Sequence, residues 1–444
     1  MLSGSNGSRF RGPVDTRPTE DLRSVGTFMG LNKTDCRRPA GNPPSRSHSQ
    51  RLAIPALTGF RFIAAFMVLL GHGYPVLQFG DSRLIGNILG PLAANAMAMF
   101  FVLSGFVIWL NYAEDFTRGP FRVAVWRFGV ARFARLYPLY ACVLIIAFLA
   151  ANWHILAAAF PRDLLFLPLA QGWIPAAGTK PLIFTFWSVA HTWSISAEVL
   201  FYLLFPVIVL PMDRLKRNGV LIFCGILTTS FAAMMYAFYR WPLTFVAPFA
   251  PTLSIGAAAW WVTYYAPYVH IFEFVAGAAA AKLFLDARRQ AIRWRPTVRH
   301  RALAIIAVSA QLVMIGTFSL GFPHLYSTVQ TIQRTIPLLT IPYFLWYICH
   351  YDGWLRRSLS WRPFVAGGEI SYSLYLLHPF ILSYFVRGWV ASLTPWTFLE
   401  WLALMVGALS TITVFSRGTY LTIEVPARRT LRRWLTRRIV ASTA

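Results

Sequence analysis

Nine side chains in this 444-residue chain have types and spacings that could do chemistry. Arg61 and His72 stand eleven residues apart in an otherwise apolar run that begins Leu57-Thr58-Gly59-Phe60. At about 100° per residue that is roughly three turns plus 20°, so both side chains share one helix stripe, about 16 Å apart at about 1.5 Å per residue. Ionisable groups inside an apolar segment are costly and therefore candidates for function: a fixed cation at one level and a titratable imidazole deeper in. The plainer reading is a snorkelling arginine and a core histidine bonded to a backbone carbonyl. His191 and Glu198, seven apart, would share a face two turns apart. A buried Glu198 must pair with a cation, Arg61 or an imidazole, or lose its charge; the plain alternative is a structural ion pair between two helices. Arg132 and Arg135, three apart, lie on adjacent faces and can fork a phosphate, although arginines beside a span also anchor it. Tyr372, Tyr375 and His378 recur at three-residue steps, as a polar stripe or as an aromatic ridge kinked at Pro379.

The elements that must position these groups follow from composition. The chain is 57% hydrophobic and 13% charged, with mean hydropathy +0.53, whereas a soluble domain is nearer 45–50% apolar and about 25% charged. The expected fold class is all-α, a polytopic membrane helix bundle. The net charge of +25 is mostly arginine in short loops and tails, which the positive-inside rule explains without nucleic acid as a partner. Cys36, Cys142, Cys224 and Cys349 are far apart with no CxxC or Cys/His spacing, so neither a disulfide framework nor a metal site is expected. Spans of about 20 apolar residues fall near 55–77, 91–112, 136–153, 186–210, 220–239, 268–285, 302–320, 334–350, 364–389 and 397–416. Residues 113–135 read as a basic loop or interfacial helix. Residues 241–266 are apolar but broken by Pro242, Pro248 and Pro251. They are placed on the outer side or as a re-entrant piece, because a full span there would put the basic segment 286–301 outside. About ten helices with both termini cytoplasmic then leave every strongly basic segment on one side of a cell inner membrane. Residues 1–51 read as a disordered basic tail, 52–416 as one transmembrane domain, and 417–444 as a basic tail. Glu424-Val425-Pro426 signals only a helix break before that tail.

Six motifs occur in order. They are Leu57-Thr58-Gly59-Phe60-Arg61 with His72; Phe100-Phe101-Val102-Leu103-Ser104-Gly105-Phe106; Arg132-Phe133-Ala134-Arg135-Leu136-Tyr137-Pro138; Trp193-Ser194-Ile195-Ser196-Ala197-Glu198 with Phe201-Tyr202 and Pro206; Ile370 through His378-Pro379; and Glu424-Val425-Pro426. With these, the chain from about Ile54 to about Arg428 resembles acyltransferase family 3, integral-membrane O-acyltransferases that include O-antigen acetylases and enzymes acylating exopolysaccharides, Nod factors and macrolides. The resemblance implies transfer of an acyl group, usually acetyl, from cytoplasmic acyl-CoA to a carbohydrate hydroxyl. Acyl-CoA is then a co-substrate, no cofactor is permanently bound, and a glycan or glycolipid and membrane lipids are the partners. It implies His72 as base or, as the lesser option, acyl carrier, with Glu198 orienting or charge-balancing His72 or Arg61. Arg132 and Arg135 would hold the CoA phosphates, and His191, Tyr372 and His378 would lie toward the acceptor. Some members carry a C-terminal SGNH-type domain, for which the tail after Arg417 is too short. The rival class is a proton-coupled transporter or flippase, which need not consume acyl-CoA. Acyltransferases for lipid headgroups or sterols lack support in these motifs.

Overall fold

An apolar chain can cross lipid only with its backbone hydrogen bonds closed within each segment, and helix is the form this chain takes. A computed structural model describes residues 53–77, 82–150, 172–173, 176–177, 180–181, 191–290, 297–317, 326–382, 398–431 and 433–434. The main helices are α1 (Pro55–Leu77), α2 (Ser82–Arg118), α3 (Phe121–Ala150), α4 (Trp193–Arg214), α5 (Arg217–Arg240), α6 (Pro242–Val246), α7 (Ile255–Trp260), α8 (Pro267–Arg289), α9 (Val298–Thr317), α10 (Tyr326–His350), α11 (Trp354–Leu359), α12 (Arg362–Glu369), α13 (Ser371–Phe380) and α14 (Phe398–Thr419). The sole described strand pairing joins Ala176–Ala177 to Lys180–Pro181.

Among the described residues, seven stretches are long and apolar enough to cross a membrane: Pro55–Gly73, Leu89–Arg118, Phe121–Ile146, Trp193–Arg214, Arg217–Arg240, Ile255–Arg289 and Leu402–Leu431. The protein is an all-helical, multi-pass membrane protein. The expected crossings near 302–320, 334–350 and 364–389 are not among the seven. The last of these is divided at Ile370 between α12 and α13.

Several expectations on local structure change. Residues 113–135, expected as a loop or an interfacial helix, are helical: α2 continues to Arg118, a two-residue turn follows, and α3 starts at Phe121, well ahead of the expected 136. The apolar faces of Phe116 and Phe128, buried against one another at 5.8 Å between centroids, extend both helices past their most hydrophobic parts. Residues 241–266 form α6 and α7, each too short to span, and then a π turn, Trp261–Tyr265. A second π turn, Tyr420–Glu424, follows α14, and the chain stays helical to Leu431 instead of breaking at Pro426. Each π turn lies just ahead of a proline, Pro267 or Pro426. Proline has no N–H and crowds the carbonyl of the preceding turn, and the wider i→i+5 ring takes up that mismatch. The expected disordered tail, 1–51, lies outside the described residues, as do 151–153, 186–190, 318–320, 383–389 and 435–444 of other predicted segments.

The core is built on close helix contacts. α2 lies along α8 with glycine on both sides of the contact. A Cβ on Gly105 would meet the Phe274 carbonyl, and one on Gly277 would meet the Val102 carbonyl. Without a hydrophobic drive between helices in lipid, such small-residue contacts are what bring backbones together. α1 packs on α11 and α12 in the same way: a Cβ on Gly59 would meet the Leu359 carbonyl at the end of α11, and one on Gly368 of α12 the Thr58 carbonyl. Gly105→Ala and Gly277→Ala are each expected to lower stability by ~1–3 kcal/mol through overpacking. Thermal unfolding of the detergent-solubilised full chain would read this, and an unchanged midpoint for both would disprove the contact.

Candidate active site

Two cavities flank the motif residues. The first, about 70 Å³, is enclosed by α1, α2, α3, α4 and α13, and its wall carries Arg61, Arg132, Arg135, Glu198, Tyr202 and Tyr372. Three guanidinium groups therefore face one carboxylate. Arg132 is the best held: one Nη donates to the Tyr112 hydroxyl at 2.8 Å, and its guanidinium lies 4.8 Å from the Tyr112 ring centroid and 5.8 Å from those of Phe128 and Tyr202. Aromatic faces stabilise a cation there without neutralising it. Glu198 accepts from the Tyr202 hydroxyl at 2.9 Å. Among the described residues no acidic group comes within ion-pair distance of Arg61, Arg132 or Arg135. A side pocket of about 210 Å³ shares Arg61 and Arg135 with this cavity and runs past Ile54, Thr58 and Asn111. The result is a site of excess positive charge that fits a polyanion.

The histidines gather elsewhere. His72 and His378 rings are 5.0 Å apart, and His378 and His191 rings 5.6 Å. His72 Nδ1 lies 2.9 Å from the Val68 carbonyl. A carbonyl can only accept, so Nδ1 carries the proton and Nε2 of the neutral ring keeps its lone pair. This is the plain backbone bond expected of a core histidine, yet the ring is not core: His72 is accessible on the wall of a cavity of about 460 Å³. His378 likewise bonds through Nδ1 to the Tyr375 carbonyl at 2.6 Å and is fully buried. Tyr375 joins the two regions. It lines the arginine cavity, its ring is 5.7 Å from both His191 and His378, and its hydroxyl donates to the His191 carbonyl at 2.5 Å and lies 2.8 Å from Ser194 Oγ.

Two groupings read from the sequence come apart. His191 and Glu198 do not share a face, because the helix begins only at Trp193 and His191 sits in the turn before it. Glu198 accordingly belongs with the arginines, and among the described residues it has no contact with His72. Tyr372 and His378 are not on one side either: six residues at about 100° each leave them roughly 120° apart, with Tyr375 between. Tyr372 donates to the Leu136 carbonyl at 2.7 Å in the arginine cavity, while His378 joins the histidines. Glu424 is more than a marker of helix end. It is buried and accepts from Ser373 Oγ of α13 and from Arg428.

Sequence reasoning passed over a buried pair on α8. His270 Nδ1 meets Glu273 Oε2 at 2.8 Å, and its Nε2–H donates to the Tyr264 carbonyl at 2.7 Å, which fastens the π turn to α8. Their i,i+3 spacing in an apolar run was the available signal. It also passed over Gln333 and Arg334 on α10, which line the large cavity together with His72.

A family model described as acyltransferase domain, of the type-3 acyltransferases, matches residues 54–417. The chain belongs to acyltransferase family 3. Among curated proteins, this acyltransferase is 27% identical over 406 residues to "Acyltransferase MdmB" of Streptomyces mycarofaciens, covering 86% of this chain and 93% of that one. It is 23% identical to "Putative O-acetyltransferase SACOL0978" of Staphylococcus aureus (strain COL), covering 85% of this chain and 57% of that one. It is 26% identical to "Putative peptidoglycan O-acetyltransferase YrhL" of Bacillus subtilis (strain 168), covering 73% of this chain and 48% of that one. It thus spans about half the length of the last two. No solved structure gives a significant match.

Tyr375→Phe removes the hydroxyl bonded to both Ser194 and the His191 carbonyl, and is expected to cost ~1–2 kcal/mol. Thermal unfolding of the acyltransferase in detergent checks this, and a midpoint equal to the parent's would remove Tyr375 as the tie between α13 and α4.

Proposed function

We propose that this acyltransferase moves an acyl group, acetyl by default, from cytoplasmic acyl-CoA to a hydroxyl of a carbohydrate such as an exopolysaccharide, an O-antigen or a lipid-linked glycan. The observation that carries the reading is the pairing along α1. A cavity with three arginines and one carboxylate lies at Arg61, and an accessible imidazole with a free Nε2 lone pair stands about 16 Å further on. The arginine cavity suits the phosphates of CoA, with Arg132 and Arg135 as their ligands and Arg61 beside them. Glu198, bonded to Tyr202, limits the excess charge at Arg61. A pantetheine arm is long and thin enough to carry a thioester from that cavity toward His72.

In the proposed reaction, His72 Nε2 takes the proton of the acceptor hydroxyl while the oxygen attacks the thioester carbonyl carbon. The tetrahedral adduct collapses, the C–S bond breaks, and the CoA thiolate leaves and takes the proton from the imidazolium. The products are an ester and free CoA thiol, and the imidazole is neutral again. His378 and His191, behind His72, hold its ring on that side. A glycan acceptor is supported by the printed name of the Bacillus subtilis relative, which specifies peptidoglycan. Basic ends of adjacent helices favour an inner-membrane bundle of about ten crossings with cytoplasmic termini: Arg118 closes α2 just ahead of Arg122 on α3, and Arg214 closes α4 just ahead of Arg217 on α5.

The test is acyl transfer by the purified full chain, read as CoA thiol release together with ester formation on glycans by mass spectrometry. His72→Ala is expected to lower the rate by about 10²–10⁴-fold with CoA affinity unchanged; normal transfer by this variant removes the base assignment. Arg132→Gln combined with Arg135→Gln is expected to weaken CoA binding roughly 10–100-fold, with a salt-dependent remainder. Unaltered CoA affinity in that double variant would sink the phosphate role.

A further inference from the structure

The large cavity beside His72 has a wall of unusual chemistry for a membrane interior. On α10, Gln330, Gln333, Arg334 and Pro337 line it at i, i+3, i+4 and i+7, one helical stripe. Gln333 is only 5% exposed, and among the described residues neither its Oε1 nor its Nε2 has a hydrogen-bond partner. Asn95, from α2, is also 5% exposed, with Oδ1 unpartnered. Buried amides are normally bonded, because an unmade bond costs the full desolvation of the group. Here two such amides from two helices meet at one cavity.

Arg334 adds a charge. One Nη donates to the Thr263 carbonyl at 2.9 Å, and its guanidinium lies 5.6 Å from the Tyr264 ring centroid. Its Nε is buried and unpartnered. No acidic side chain is among the described residues that line this cavity, and none forms an ion pair with Arg334. A cation so placed calls for an anion. The π turn and α7 add Tyr265 and Trp260 to the same lining, their rings stacked with centroids 6.3 Å apart, apolar surface of the kind on which a sugar ring lies. At about 460 Å³ the cavity has the size of a small-ligand site.

We propose that this cavity is the acceptor subsite and that it selects a carbohydrate ring bearing an anionic substituent, a carboxylate or a phosphoryl group. Arg334 meets the anion, Gln333 and Asn95 bond ring hydroxyls, and the Trp260–Tyr265 face packs on the ring, leaving one hydroxyl toward His72. The proposal deepens the transfer reading above and rests on it for the identity of the reacting hydroxyl. Its recognition chemistry stands separately, since binding requires no donor.

The experiment is equilibrium binding to the full chain in lipid nanodiscs with three probes: methyl β-D-glucuronide, glucose 1-phosphate and methyl β-D-glucoside. The wild type is expected to bind at least one anionic probe about tenfold more tightly than the glucoside. Preference for the glucuronide identifies a uronate, and preference for the phosphate identifies a phosphorylated or lipid-diphosphate-linked sugar. Arg334→Gln is expected to remove that preference while leaving glucoside affinity in place, and Arg334→Lys to restore part of it. Gln333→Leu is expected to weaken all three probes by about fivefold or more while leaving thermal stability equal or higher, since it deletes two unmet bonds. A structural role for Gln333 would lower stability instead. Equal affinity for all three probes in the wild type, a preference that survives Arg334→Gln, or displacement of the bound sugar by CoA would each overturn the proposal. A chain that binds the anionic sugar but releases no thiol with acyl-CoA fails the transfer reading and leaves this one standing; a chain that transfers without the preference does the reverse.

Discussion

The interior of this bundle holds charge that its own acidic groups do not neutralise, and the surrounding structure is arranged around that constraint. A guanidinium in a low-dielectric interior is costly unless something offsets the lost hydration. At Arg132 the offset is a tyrosine hydroxyl and three aromatic rings. Arg61 and Arg135 face Glu198, the one carboxylate among the described residues on that cavity wall, at more than ion-pair distance. Arg334 repeats the arrangement at the other cavity, with one carbonyl and one aromatic face. Contrast Glu424, whose buried carboxylate is met directly by Arg428 and Ser373. Where charge serves only to join elements, this protein pairs it; at the two cavities it does not.

Holding unpaired charges at fixed positions requires a rigid frame, and backbone contact supplies it. Gly105 and Gly277 bring α2 and α8 together, and Gly59 and Gly368 bring α1 onto α11 and α12. Arg61 is two residues beyond Gly59, so its depth is set by that contact. Around these glycines, Phe101, Phe201, Phe205 and Phe274 are fully buried and fill the space with interlocked rings.

The sequence made the membrane class, the helical fold and the arginine grouping legible, because hydropathy and the 3.6-residue period act locally. Arg132 and Arg135 reach one cavity as their three-residue spacing allowed; that Arg61 lines it too came from the fold. What escaped depended on where helices begin and on contacts between distant segments. His191 was read in the register of a helix that starts two residues later. Tyr372 and His378 looked like one stripe, although six helical residues turn them to different neighbours. The reading of 113–135 as a loop or an interfacial helix missed that α2 and α3 themselves run through it, because the paired aromatics Phe116 and Phe128 could not be assigned to each other from sequence. Arg334 counted only as the start of a span and Gln333 not at all; the approach of α7 and the π turn from elsewhere in the chain makes them a wall.

α2 forms part of both cavities. Asn95 and Ala98 lie on the one beside His72, and Phe101, Ser104 and Ile108 lie on the one with the arginines, successive turns of one rigid rod. Clamped to α8 at Gly105, that rod cannot adjust at one end alone, and a displacement that widens one chamber is felt in the other. Two ligands that share such a partition do not bind independently: whatever factor the first applies to the affinity of the second, the second returns to the first. Through α2, occupancy of either chamber is thus a condition on the other.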